Sequence, residues 1–345
     1  MTNGANLNRA RSQKSQVSIL EIAQAAGVSP ATVSRVFNRP ALVREETRER
    51  VLAIVAEHGF RPNRLGSSLR SGNTRTLGLV LPTLSNPVFA DCFEGAEARA
   101  AESGYSIMTT VTHYDPGLEA AAVHRLIDHR LEGLILTVAN PNNSPILKTL
   151  KKRGMPYVLA YNESSSHPCA AVDNRRAAAD MVTHLARLGH RQIAFLSGPL
   201  ALSDRARSRL AGARQQGRAL GLPPVSHLVT PSHTQPDRAA LRRLMAASNR
   251  PSALFCSNDM LATAVIGELK ALGLCVPADM SVAGFDGIRY GAYMSPSLAS
   301  VEAQGYEIGR TACSLLLVQI DNGVSRSGQV PYRLIDGGSA AAKRS

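Results

Sequence analysis

"SILEIAQAAGVSPATVSRVFN", residues 18–38, is the stretch on which the architecture turns. Ile19, Ile22, Ala23 and Ala26 recur at spacings of three and four, the period of a helix with one apolar face. Ser18 offers an N-cap oxygen, and Gly27 offers a stop. A second helix begins at once. Ser29 caps it, and Pro30 takes the first helical position, where a missing N–H costs nothing. On that helix Val33, Val36 and Phe37 share one face, suited to the Ile19/Ile22 stripe, while Ala31, Ser34, Arg35 and Asn38 point outward. Two short helices joined by "AGVS" suit either an ordinary helical hairpin or a helix-turn-helix whose second helix enters a major groove. In the second case hydroxyls and the helix N-terminus hold phosphates, and Arg and Asn reach base edges. A third helix follows in "REETRERVLAIVAEHG", with acids in its first turn and a stripe of Val51, Ile54 and Val55.

The charge pattern points the same way. Of a net charge of +13, residues 1–75 supply a surplus of seven (12 Lys/Arg against 5 Asp/Glu), and the other 270 residues supply six (27 against 21). A basic end on a nearly balanced body suits a polyanionic partner. Residues 1–16 are polar and are expected to be a disordered tail. The five cysteines (Cys92, Cys169, Cys256, Cys275, Cys313) form no C-x-x-C pair, and most stand in apolar contexts, so buried reduced thiols are expected. No apolar run has the length of a membrane span or signal peptide, and a cytoplasmic protein without membrane partner is expected.

From residue 76 the rhythm changes. Candidate strands "TLGLVLP", "YSIMTTV", "LEGLILTV", "PYVLAYN", "QIAFLSG", "SALFCSND" and "MSVAGFD" alternate with helical stretches at 87–103, 117–129, 174–188, 206–220, 236–247 and 259–272. That alternation predicts parallel sheets covered on both faces, split into two doubly wound lobes. The expected fold class is an all-α domain, a helical hairpin or helix-turn-helix on spacing alone and a helix-turn-helix on the resemblance described next, followed by an α/β two-lobed domain. The expected boundaries are 17–60 for the helices, 61–76 for a linker, and 77–338 for the two-lobed domain. The N-lobe takes about 77–173 and 303–331, the C-lobe about 174–302 and 332–338, and 339–345 is a tail. Enzyme motifs are missing: there is no G-x-S-x-G, H-E-x-x-H, P-loop or G-x-G-x-x-G, and His167-x-Cys169 is too sparse for a metal site. Neither catalytic residues, nor a metal, nor a cofactor is expected.

The stretch 17–82 resembles the N-terminal signature of the LacI/GalR family of bacterial transcription regulators. The likeness continues through "LSNPVFADCFEGAEARAAESGY", "LEGLILT", "LARLGHRQIAFLSGP", "SRLAG", "SALFCSNDMLATAVIGELKALGLCVPADMSVAGFD" and "YEIGRTACSLLL". The resemblance implies a homodimeric repressor that binds a double-stranded DNA operator, with an effector-binding core like a periplasmic sugar-binding protein. By matched position, Ser18, Ser29, Thr32 and Ser34 would hold phosphates. Pro30, Ala31 and Arg35 would face bases, and Asn38 would lie near the backbone. Pro30 and Ala31 can offer only apolar contacts, so Arg35 carries most of the direct readout. The linker would be the hinge helix, with Leu69 as the leucine wedged into the minor groove. Gly66, where an alanine is common, would weaken that helix.

The same matching places Ser85, Phe89, Tyr161, Arg209, His233, Asn258 and Asp286 in the effector pocket. An arginine and an aspartate facing one cleft suit a hydroxyl-rich ligand, although the two could instead form a structural pair between the lobes. Asp259 is expected to cap the helix beginning "MLATAV". His233 stands where many members have Trp or Phe, and Tyr161 where several sugar binders have Asp. A sugar is therefore the first expectation, with a nucleoside or small carboxylate next. An anion would suit Arg205, Arg207 and Arg209, two of which are expected to be solvated. A plain solute-binding protein of the same fold is the rival of another class. It would carry an export signal and no helix-turn-helix, the reverse of this sequence. "SAAAKRS" is too short for a tetramer-forming heptad helix, so a dimer is expected.

Overall fold

The computed structural model describes residues 17–60 and 74–343. The expected tail at 1–16, the linker from 61 to 73 with Gly66 and Leu69, and the side chain of Asn38 lie outside the described residues. The chain divides into two compact units, at 73/74.

The first unit is helical: α1 (Ile19–Ala26), α2 (Pro30–Asn38) and α3 (Glu45–Glu57), with a 3-10 turn at Pro40–Leu42. The capping chemistry explains where the helices start and stop. The Ser18 hydroxyl accepts from Glu21 N while Ser18 N donates to the Glu21 carboxylate at 2.6 Å, a closed capping box. Gly27, at φ 62°, turns the chain left-handed, and Ser29 then caps α2 by accepting from Thr32 N. Ile22, Ala23, Ala26, Val33, Val36, Val51 and Phe60 form the sealed core, and Phe37 lies 6.4 Å from Phe60.

The second unit is built on two parallel sheets. The N-lobe sheet runs in the order β11-β5-β4-β3-β1-β2. Its strands are β1 (Thr76–Leu81), β2 (Ser106–Val111), β3 (Gly133–Leu136), β4 (Tyr157–Ala160), β5 (Cys169–Ala171) and β11 (Gly328–Gln329). Helices α4 (Pro87–Glu102), α5 (Pro116–Asp128), α6 (Pro145–Arg153) and α11 (Gly305–Asn322) belong to the same lobe. The C-lobe sheet runs β7-β6-β8-β9, from β6 (Ile193–Ser197), β7 (Ser226–Val229), β8 (Ala253–Cys256) and β9 (Ser281–Ala283). It carries α7 (Asn174–Arg187), α8 (Asp204–Ala219), α9 (Arg238–Ala246) and α10 (Asp259–Ala271). β10 (Ser300–Glu302) and β12 (Arg333–Ile335) pair antiparallel where the chain passes between the lobes. One apolar core runs through both lobes, from Leu79 and Phe89 through Val172 and Ala177 to Phe195 and Phe285. α4 and α11 touch backbone to backbone, because a Cβ on Gly95 would collide with Tyr306 O and one on Gly309 with Cys92 O.

Several elements lie beyond what the strand–helix alternation marks. α6 is only nine residues long, and α11, which holds the motif "YEIGRTACSLLL", is not among the predicted helices. β7 has no buried residue, so no apolar run announces it. The expected tail is corrected in part: Ser339 is fully buried, and its hydroxyl donates to Val282 O at 2.6 Å. Four cysteines are buried and Cys275 is exposed. Among the described residues, no helix is long and apolar enough to cross a membrane.

Candidate functional site

In the helical unit, the sealed valines of α2 turn its other face outward. Ala31 and Arg35 are exposed, and Thr32 and Ser34 are half-buried. The capping hydroxyls keep chemistry in hand. Ser29 Oγ accepts from Thr32 N and lies 2.9 Å from Thr32 Oγ1. Whichever hydroxyl donates to the other, one hydrogen of the pair remains for an outside acceptor.

In the two-lobed unit, residues that follow the carboxyl ends of parallel strands converge, as the topology requires. Phe89, Tyr161, Arg209, His233, Asn258 and Asp286 line one cavity with Asn86, Tyr114 and Arg205. Ser85 does not. It is exposed and bonds Thr83, so the cavity residue after β1 is its neighbour Asn86. Asn86 caps α4, and its Nδ2 donates to Asp286 Oδ2 at 2.9 Å across the lobes.

Arg209 and Asp286 both belong to the C-lobe, which corrects the idea of an inter-lobe pair. Arg209 Nη1 lies 3.5 Å from Asp286 Oδ1, and its guanidinium stacks 3.5 Å from the Phe285 ring. Arg209 Nε donates to Asn174 Oδ1 at 2.8 Å. Burial pushes the Asp286 carboxyl above its ordinary range, and the neighbouring Arg209 opposes that rise. Arg205 is as buried as Arg209, so of the three arginines only Arg207 is solvated. Arg205 is held by Asp204 at 3.0 Å and by Val138 O at 3.2 Å. Asp204 completes the bridge: its N donates to Ala139 O at 3.0 Å, and its carboxylate accepts from Asn162 Nδ2 at 2.8 Å.

The aromatic wall has two pairs. Phe89 meets Tyr161 edge-on at 5.1 Å, and the Tyr161 hydroxyl donates to Val88 O. Tyr114 of the N-lobe lies 4.4 Å from His233 of the C-lobe. Burial, with Arg205 and Arg209 nearby, pushes the His233 imidazole down to about 4, and its Nε2 is buried without a hydrogen-bond partner. Asn258, and not Asp259, caps α10. Its Oδ1 accepts from Leu261 N and its Nδ2 donates to His233 O. Asp259 lies beneath, accepting from Ser300 Oγ at 2.6 Å and Ile288 N at 2.8 Å. Burial, then the Asp286 charge, pushes it up to about 8. The free space is about 30 Å³, room for about two waters. His167 stands apart from this site, 2.6 Å from the Tyr157 hydroxyl.

Comparison with known proteins fits this geometry. Residues 18–63 match the model for bacterial regulatory proteins of the lacI family, and residues 182–340 match the periplasmic binding protein-like domain. Catabolite control protein A of Priestia megaterium is 32% identical over 324 residues, covering 92% of this chain and 97% of that protein. The chain belongs to the LacI family. This LacI-family regulator is also 33% identical over 314 residues to the transcriptional regulator GntR of Escherichia coli, covering 89% and 93%. The crystal structure of the Lac repressor dimer bound to operator and an anti-inducer superposes with a TM-score of 0.81 at 26% identity, covering 94% of this chain and 99% of that one. The protein is therefore a DNA-binding transcription regulator with a helix-turn-helix domain and a two-lobed periplasmic-binding-like domain.

Proposed function

We propose that the protein is a cytoplasmic repressor that binds its operator as a homodimer and is controlled by a small, uncharged, hydroxyl-rich effector, a sugar or sugar derivative, held between the lobes. The charge balance of the cavity carries this reading. Arg209 is matched by Asp286 and Arg205 by Asp204, so a neutral ligand leaves no buried charge unpaired. Asp286 would accept from paired hydroxyls, the Arg209 fork would donate to oxygens, and His233 Nε2 would gain the partner it lacks. Arg205 is already tied to Asp204 and Val138, which weighs against a carboxylate ligand. A nucleoside is the second reading, because the Tyr114–His233 pair offers a flat aromatic surface to a base.

On DNA, Ser18, Ser29, Thr32 and Ser34 would hold phosphates. Pro30, Ala31 and Arg35 would meet bases, with Asn38 beside the backbone and Leu69 in the minor groove. The test has two arms. Thermal shift of the full chain against neutral sugars, nucleosides and organic acids should show stabilisation by a sugar, since a ligand of the native state raises stability by mass action. Stabilisation by acids alone would overturn the effector reading. Selection from a randomised duplex library should recover a near-palindromic site bound with steep salt dependence. Indifference to sequence would overturn the operator reading.

A further inference from the structure

We infer that the ends of α5 and α6 form a second DNA-binding surface on the core, which grips phosphates of the duplex flanking the operator. The inference rests on the DNA-binding reading above and goes beyond it. α6 buries Ile146, Leu147 and Leu150 and exposes Lys148, Lys151, Lys152 and Arg153. Beside it, Arg125 and Arg130 at the end of α5 are exposed, as are His124 and His129. The N-lobe is acidic as a whole: residues 77–173 and 303–331 hold 9 Lys/Arg against 12 Asp/Glu. Six of those nine bases nevertheless fall between 125 and 153. The acids of that stretch are Asp128 and Glu132, and Glu132 is engaged by Arg75 N and the Tyr105 hydroxyl. None of the six bases joins an ion pair among the described residues, whereas Arg99 and Arg310 both pair with Glu102.

Favourable interaction with the helix dipole accounts for a base or two in a last turn. It does not account for Lys148 one turn earlier, for Arg130 beyond α5, or for the lack of any acid on α6. The basic face of α6 also lacks the anchor a protein partner would need. The large apolar side chains of that helix, Ile146, Leu147 and Leu150, are all buried, so its exposed face is made of bases and small groups. A charged surface without an apolar centre suits a polyanion held by charge alone.

Its place in the fold names which polyanion. Thr74, the first residue of the core, donates through Oγ1 to Arg130 O at 2.9 Å. Leu77 is paired with Gly133, and Leu134 with Tyr157. The loops that follow α5 and α6 therefore lie about 5 and about 10 Å along the sheet edge from the start of β1. The 13 residues from 61 to 73 join this edge to the helix-turn-helix unit, and fully extended they reach at most about 47 Å. A duplex held by that unit is thus tethered to the core by a segment that starts at this edge, which raises its local concentration there.

The experiment compares the full-length protein with Lys151→Gln/Lys152→Gln/Arg153→Gln and with Lys151→Arg/Lys152→Arg/Arg153→Lys. The probes are a library-selected operator trimmed to its ends and the same operator with about two helical turns of flanking duplex on each side. The expected result is that all three proteins bind the trimmed probe equally. On the flanked probe the Gln variant should bind several-fold more weakly than the other two, with a log K against log salt slope shallower by about 0.9 for each phosphate it no longer neutralises. Equal binding of wild type and Gln variant to the flanked probe would overturn the inference, as would an equal loss on both probes. If the wild type binds neither probe, the DNA-binding reading itself fails.

Discussion

On α2, Ala31 and Arg35 stand in solvent above a sealed face of Val33 and Val36. In the cleft, Arg209 is held by Asn174 and Asp286, Arg205 by Asp204 and Val138, and Asn258 by Leu261 and His233. The exposed Arg35 guanidinium stands open to an outside partner, whereas the cleft spends most of its hydrogen bonds internally. Substitutions should therefore separate. On α2 they should weaken binding and spare folding, while in the cleft they should disturb both, because a buried charge left alone is costly.

The largest effect should come from Asp286→Ala. It strands the Arg209 guanidinium in a buried site and removes the partner of Asn86. Denaturant unfolding should show a loss of about 3–5 kcal/mol, together with loss of any effector response. Unchanged stability would erase the contrast between the two regions.

A pH experiment sharpens it. His233 has a folded value of about 4 against an ordinary 6.5. A base with a depressed folded value is neutral in the fold and takes up its proton first in the unfolded chain. Its contribution is present above pH 6.5 and is lost as pH falls towards 4, amounting to about 3 kcal/mol over that window. Asp259, raised to about 8, shifts stability in the opposite sense, favouring the fold as pH falls below 8. The clean observable is the difference between wild type and His233→Phe, in which the Asp259 contribution cancels. Wild type should lose more stability than the variant between pH 6.5 and 4, and parallel curves would show that His233 is not sealed.

Arg35→Ala should cost about 1–3 kcal/mol in operator affinity and relax one base pair per half-site, with the melting temperature unchanged. A comparable loss on random duplex would make Arg35 a phosphate contact. The smallest effect belongs to Ser18→Ala, which opens the capping box and should cost about 1 kcal/mol of stability in the helical unit by local hydrogen exchange.

How far the sequence can be read follows from the range of the interactions. Ser18 with Glu21, Gly27, and Ser29 with Pro30 act within a few residues, so α1 and α2 are legible from composition and spacing alone. The cleft is legible mainly through family resemblance, which names Phe89, Tyr161, Arg209, His233, Asn258 and Asp286, all around one cavity. It misses what only long-range packing decides. Asn86 replaces Ser85 because the helix cap also reaches the opposite lobe. Tyr114 arrives from a loop after β2 with no periodic signal. Arg205 is buried because Asp204 and Val138 receive it, and nothing in "SDRARSR" distinguishes it from the solvated Arg207. Asp259 reads as the cap that Asn258 makes, since adjacent Asn and Asp offer the same local chemistry.

The bonds from Asp204 to Ala139 and Asn162, from Arg205 to Val138, and from Asn86 to Asp286 close the lobes over a space of about 30 Å³. Ligand sites are usually about ten times larger. An effector larger than that space cannot diffuse in while those bonds hold, so association waits on the lobes parting. In a stopped-flow experiment the observed rate should climb with effector concentration and then level off at the speed of opening. Asp204→Ala, which removes one latch, should raise that plateau. The regulator's response time is then set by how often its own lobes come apart and not by how fast the effector arrives.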